Sequence, residues 1–259
     1  MGFQVIDLTK GAPKYGRCIA LAEDILLSTT WSRRYEFARM MDFMHGESDH
    51  KVLSTPILLV DGAHYERIEP GKGGIKETLG MFCPVYKLAD TETPVIFMCM
   101  DVIVDAARRS DLPVDVLFTK VLSHEMMHAF FSGSDHSTYY NSLEFARWFE
   151  EAYANAFALQ AMENAYDLGL IDDSHLKNLR VFVSKQPTEY AFGGLLQQDR
   201  HSLHFFTVMS VENLDRCGDA NKASTRDAWL AFVRKTMNGN TGQYNRSAYD
   251  KILKDLDAR

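Results

Sequence analysis

The sequence predicts an α+β protein, with a small mixed sheet in residues 1–110 followed by a mostly helical remainder. Three observations carry that expectation. The strand-like apolar runs at 57–60, 81–88 and 95–102 all fall before residue 103. From Pro113 onward the apolar residues recur at spacings of three and four, which is helical periodicity. Finally, 259 residues of which 46% are hydrophobic suit one body with a sizeable core and exclude intrinsic disorder. The expected organisation is a single domain over 1–259, with 1–110 mixed, 111–169 formed by two long helices and 170–259 helical.

In chain order, residues 16–45 hold two helix-like patterns, Cys18, Ile19, Leu21, Ala22, Ile25 and Leu26 in one, Phe37, Met40, Met41 and Met44 in the other. Residues 57–60, the dipeptide Asp61-Gly62 and residues 64–68 read as strand, tight turn, strand. The stretch 69–74 is a loop. Its Gly71-Lys72 pair is no phosphate loop, because Gly73 stands where that motif requires Ser or Thr. Residues 81–88 and 95–102 read as two strands of one sheet joined through 89–94.

After Pro113, apolar residues at 114, 117, 118, 121, 122, 126 and 130 predict a helix of about five turns. Asn141 with Glu144 three positions on is a capping box opening a second long helix, and Gly169 supplies its left-handed stop. Further helices are expected near 173–184, 194–209, 224–237 and 246–257, with breaks at 218–221 and 238–242.

The formal net charge of −7 gives no basic field for nucleic acid or an anionic membrane surface. No apolar run approaches the roughly 20 residues that span a bilayer. Gln4, Asp7, Lys10 and Lys14 interrupt the apolar core a secretory signal needs. Cys18, Cys83, Cys99 and Cys217 are scattered, with no C-x-x-C pair, and read as free thiols. A cytoplasmic protein without membrane or nucleic-acid partners is the expectation.

The chemistry concentrates at His124-Glu125-Met126-Met127-His128. Positions i and i+4 lie about 40° apart around a helix axis, so both imidazoles leave one face and can share one ion. Zn²⁺ accepts neutral imidazole, and Glu125 beside the first ligand is placed to reach water instead of the metal. At single-residue frequencies the pattern would arise by accident on the order of 0.02 times in such a chain. An amphipathic surface helix is the plain alternative. The apolar flanks Val121-Leu122 and Ala129-Phe130-Phe131 count against it, since a buried imidazole pair needs partners.

A catalytic zinc site ordinarily has three protein ligands. The extended form H-E-x-x-H-x-x-G-x-x-H fails, with Phe131 at its Gly and Ser134 at its His. Asp135 or His136 after the helix is one source of the third ligand. The other is the long capped helix, where Glu150 and Glu151 point about 100° apart, so that one of them faces the ion. Asn155, four residues after Glu151 and on its face, could accept the N–H of a ligating imidazole.

His124-Glu125-x-x-His128 followed by Glu151-x-x-Ala154-Asn155-x-Phe157-Ala158 resembles the zinc peptidases of the gluzincin group, most closely the ImmA/IrrE-type peptidases. The resemblance covers roughly residues 95–160. It implies a zincin-like fold with Zn²⁺ on His124, His128 and Glu151, Glu125 as general base and Asn155 supporting the ligands. The sequence departs from that family at Leu159-Gln160-Ala161-Met162, where an apolar stretch ending in proline is usual, and it carries no recognisable DNA-binding or sensor module.

The resulting expectation is a zinc-dependent endopeptidase acting on a peptide or protein, with substrate laid along an exposed strand edge near 95–100, unless that strand is buried core. Tyr139, Tyr140, Tyr190, His201 and His204 are candidates to stabilise the oxyanion; Tyr153 falls on the wrong helix face. The opposing class is a non-catalytic, zinc-supported binding protein, against which Glu125 argues. Cysteine hydrolysis through Cys83 or Cys99 lacks a histidine at either thiol.

Overall fold

The computed structural model describes residues 2–9, 15–27, 51–62, 78–88, 90–133, 144–198 and 254. The chain divides into two compact units, Met1–Ser137 with Gln160–Leu179, and Thr138–Leu159 with Arg180–Arg259. Both are built from short strands or helices, and the described residues as a whole form a small mixed sheet with helices, an α+β arrangement.

The sheet lies in the first unit. Its strands are β1 (Val5–Asp7), β2 (Ile57–Val60), β3 (Gly80–Leu88) and β4 (Thr91–Cys99), in the spatial order β1-β2-β4-β3. β1, β2 and β4 run parallel, and β3 returns antiparallel on β4. Every residue of β2 is buried, as is β4 from Val95 to Cys99. That two-sided burial is why both read as unbroken apolar runs without alternation. Leu58, Val60, Val95, Phe97 and Cys99 make one core cluster, with Tyr86 edge-on to Phe97. Each fully buried Leu, Ile, Val or Phe of this kind contributes about 1.5–3 kcal/mol.

Several expectations change here. β2 has no hairpin partner following Gly62: β1 and β4 occupy its two edges, and a strand has only two. Residues 64–68 and the loop at 69–74 lie outside the described residues. The β3–β4 hairpin forms, but 91–94 belongs to β4 instead of the turn. Pro94 is tolerated because the register slips between Cys83 and Tyr86, opposite it; Pro84 sits in the same irregularity, where no ladder N–H is required. The strand over 95–100 is a buried, interior one, so among the described residues the sheet's outer positions belong to β1 and β3.

The strand expected to reach residue 102 stops at Cys99, and helix α2 (Met100–Arg109) starts at once. Met100, Ile103, Ala106 and Ala107 form its buried face. Asp101 in the first turn with Arg108 and Arg109 in the last complements the helix dipole. α1 (Gly16–Leu26) buries Cys18, Ala22, Ile25 and Leu26, the face its spacing predicts. The second pattern, at 37–44, lies outside the described residues.

α3 (Val114–Gly133) matches its prediction and packs against α1, α2, β3 and β4. α4 (Glu144–Asp167) ends where expected: Leu170 N–H bonds the Ala165 carbonyl and Gly169 N–H that of Tyr166, with Gly169 at φ +71°. This is a Schellman stop. Asn141, its expected cap, lies outside the described residues. α5 (Asp173–Ser184) has its predicted bounds, capped by Asp172, which accepts the His175 N–H at 3.0 Å.

α6 (Thr188–Gln198) begins six residues before the expected 194. The Pro187 carbonyl accepts its first bonds from Tyr190 and Ala191. The helices expected near 224–237 and 246–257, and the breaks at 218–221 and 238–242, fall outside the described residues. Among the described residues no helix is long and apolar enough to cross a membrane.

Candidate metal centre

α3 is buried nearly all round from Val116 to Met127, which is unusual for a helix carrying Thr119, Ser123, His124 and Glu125. The hydroxyls cost little, because each closes on its own helix: Thr119 Oγ1 donates to the Asp115 carbonyl and Ser123 Oγ to that of Thr119, both at 2.8 Å. Asp115 favours the positive end of the helix dipole and pairs with Arg17 at 2.6 Å. Besides these, the helix carries Lys120, which is buried, and the candidate site residues His124, Glu125 and His128.

One turn apart, His124 and His128 bring their Nε2 atoms to 3.0 Å, with the rings near perpendicular at 77°. Two nitrogens on one tetrahedral zinc ion at about 2.05 Å would stand about 3.3 Å apart. The imidazoles thus already hold ligand spacing. Glu151 on α4 completes a group in which one ligand atom from each of His124, His128 and Glu151 lies within 4.8 Å of the others. Glu150, its neighbour, is not in that group. Two imidazoles and one carboxylate suit zinc, so the donor set fits the ion that the motif implies.

Glu125 is 7% exposed and its Oε2 accepts the N–H of Phe82 on β3 at 2.8 Å. Gly80 makes that approach possible, for a Cβ there would stand 3.0 Å from Glu125 Cγ and 2.7 Å from Val121 Cγ1.

Asn155 is wholly buried, and its Nδ2 donates to the Tyr190 carbonyl at 2.6 Å. Its Oδ1 has no hydrogen-bond partner, a costly state for a buried acceptor. Since a carbonyl accepts only from a donor, Tyr190 fixes which way the amide points. The amide oxygen is thereby left unpaired, and it takes no imidazole N–H in this structure. Gly193 lets α6 come this close: a Cβ there would lie 2.2 Å from the Ala152 carbonyl and 3.0 Å from Asn155 Cβ.

No family model, no curated protein and no solved structure matches this chain. The resemblance to gluzincin peptidases rests on the motif residues alone.

Of the sequence candidates, His124, His128 and Glu151 come together, with Glu125 adjacent on α3. Asp135 and His136, the other source of a third ligand, lie outside the described residues, as do Tyr139, Tyr140, His201 and His204. Tyr153 is buried, and Tyr190 presents its backbone carbonyl to Asn155.

The cysteine alternative loses ground. Burial first, then the charges of Asp101 and Glu125, push the Cys99 thiol up to about 12, so it stays protonated at neutral pH. Cys83 donates its thiol to the Val85 carbonyl. Gly80 and the Phe82 amide are site components that sequence reasoning missed. A backbone N–H carries no residue signature, and this contact spans 43 positions.

Proposed function

We propose that the chain is a zinc-dependent endopeptidase of zincin-like fold, acting on a peptide or protein substrate. The observation that supports it most is the His124, His128 and Glu151 group with the Glu125 carboxylate one residue from its first member. A purely structural ion has no need of that carboxylate. Zn²⁺ held by the three ligands would supply Lewis-acid chemistry, polarising a carbonyl oxygen and acidifying water. Glu125 takes the proton of the attacking water and delivers it to the departing amide nitrogen, so one side chain serves as base and then as acid. Burial of α3 keeps bulk water from competing for that proton. Asn155 would hold the tautomer of a ligating histidine by accepting its N–H.

The chain is proposed to work in the cytoplasm, where Cys18 and Cys99, buried as free thiols, would persist. With a net charge of −7, neither nucleic acid nor an anionic membrane is proposed as a partner.

The test is Glu125→Gln. This variant keeps the side chain's size and removes the proton acceptor, so peptide-library cleavage should fall roughly 10²–10⁴-fold, with zinc content by elemental analysis near one per chain in both forms. Equal cleavage by both forms would refute the mechanism. A zinc-loaded wild type that cleaves neither the library nor host proteins would favour the zinc-supported binding protein.

A further inference from the structure

Among the described residues β3 is one of the sheet's two edge strands, and its register assigns each main-chain group a direction. Cys99 N–H bonds the Leu79 carbonyl at 2.9 Å, and Met81 pairs with Phe97 and Cys83 with Val95. Alternation in an antiparallel ladder then turns the N–H and C=O of Gly80 and Phe82 away from β4. The outward amide of Phe82 meets the Glu125 carboxylate at 2.8 Å. Two residues earlier, a Cβ on Gly80 would lie 2.7 Å from Val121 Cγ1, 3.0 Å from Glu125 Cγ and 3.2 Å from its Oε1. The strand therefore offers the carboxylate one donor and one gap, both from backbone.

We propose that Gly80 and the Phe82 amide are positioning elements for Glu125, an inference that rests on Glu125 being the proton acceptor of the proposed hydrolase. Helix α3 fixes only the Cα of Glu125, and the side chain's several rotatable bonds could carry the carboxylate away from the reacting centre. An ionised carboxylate has about four acceptor sites, so one bond to Phe82 orients it without exhausting its capacity for a proton. A displacement of about 1 Å at such a group costs on the order of 10²-fold in rate. The same bond caps the outward amide of the strand, so the position of β3 and that of the carboxylate are tied together.

The experiment has two arms. In the resting protein, amide exchange at Phe82 is followed by ¹⁵N–¹H spectroscopy in wild type, Glu125→Gln and Glu125→Ala. Exchange should quicken roughly ten- to hundredfold in Glu125→Ala, the range expected when a charged acceptor is lost, and far less in Glu125→Gln, whose amide oxygen still accepts. In the second arm, Gly80→Ala should lower kcat at least tenfold with KM and zinc content unchanged, the melting temperature serving to show that the variant is folded.

A Phe82 amide indifferent to Glu125→Ala would overturn the inference, as would a folded Gly80→Ala that keeps the wild-type kcat or loses only KM. The spectroscopic arm needs neither metal nor substrate. A Phe82 amide that follows Glu125 in a protein cleaving nothing would uphold the seat and refute the hydrolase, whereas an indifferent amide in an active enzyme would do the reverse.

Discussion

α3 and α4, the two helices that carry His124, His128 and Glu151, hold their polar side chains by opposite means. On α3 the carboxylate of Glu125 accepts a backbone N–H, from Phe82 of a strand. On α4 the amide of Asn155 donates to a backbone C=O, from Tyr190 of a helix. Each contact depends on a glycine in the partner element, Gly80 in one and Gly193 in the other, where a Cβ would collide. The polarity of the backbone group decides what remains of the side chain. A carboxylate that takes one N–H still accepts elsewhere, and an amide whose nitrogen meets a carbonyl turns its oxygen the other way. One backbone contact thus orients a carboxylate that can accept further bonds, and the other turns an amide oxygen away from its carbonyl partner.

The largest test of this contrast is at the ligand itself. Supporting groups around a metal typically change affinity 10–100-fold, so removing a ligand must exceed that. Glu151→Ala should weaken zinc binding by more than 100-fold in a competitive chelator titration, and Glu150→Ala should leave it within a few-fold. Equal losses would mean that the helix face has been misassigned. Loss only on replacing Asp135 or His136 would move the third ligand to the residues after α3.

A smaller effect is expected at Asn155. Asn155→Ala should reduce zinc affinity 10–100-fold and leave the Phe82 amide unchanged, because that amide is held by Glu125. A shift of the Phe82 resonance in that variant would break the separation between the two means of support.

How much of this was legible in the residues depends on whether the signal was local. The bounds of α5 and the end of α4 follow from Asp172 and Gly169, short-range devices with fixed chemistry. The grouping of His124, His128 and Glu151 was legible from helical spacing: four positions between the histidines, and a carboxylate on the next long helix. α2 was hidden because the apolar run at 94–100 passes from strand into helix without a break, and a strand buried on both faces shows no alternation. α6 was expected from 194 but starts at Thr188, and Gly193 sits inside the helix, where it lets the backbone reach α4. The pairing of β2 with β1 and β4, and the seat of Glu125 on β3, join distant residues through main-chain groups, which every residue except proline carries alike.

The smallest effect is expected at the far end of α4, where the contrast predicts stability without chemistry. Gly169 holds φ +71°, and a Cβ built there would meet nothing within 4 Å. Replacement by alanine therefore adds no collision, and its cost is the left-handed backbone alone, about 1–2 kcal/mol for an L-residue. That corresponds to a factor of roughly 5–30 in the folded-to-unfolded ratio, read as a lower midpoint in urea with unchanged slope. Zinc stoichiometry, zinc affinity and the Phe82 amide should all stay as in the wild type. If Gly169→Ala instead weakened zinc binding as much as Asn155→Ala, α4 would be transmitting strain along its length to Glu151, and the support of the site would have to be assigned to the whole helix rather than to the contacts at Asn155.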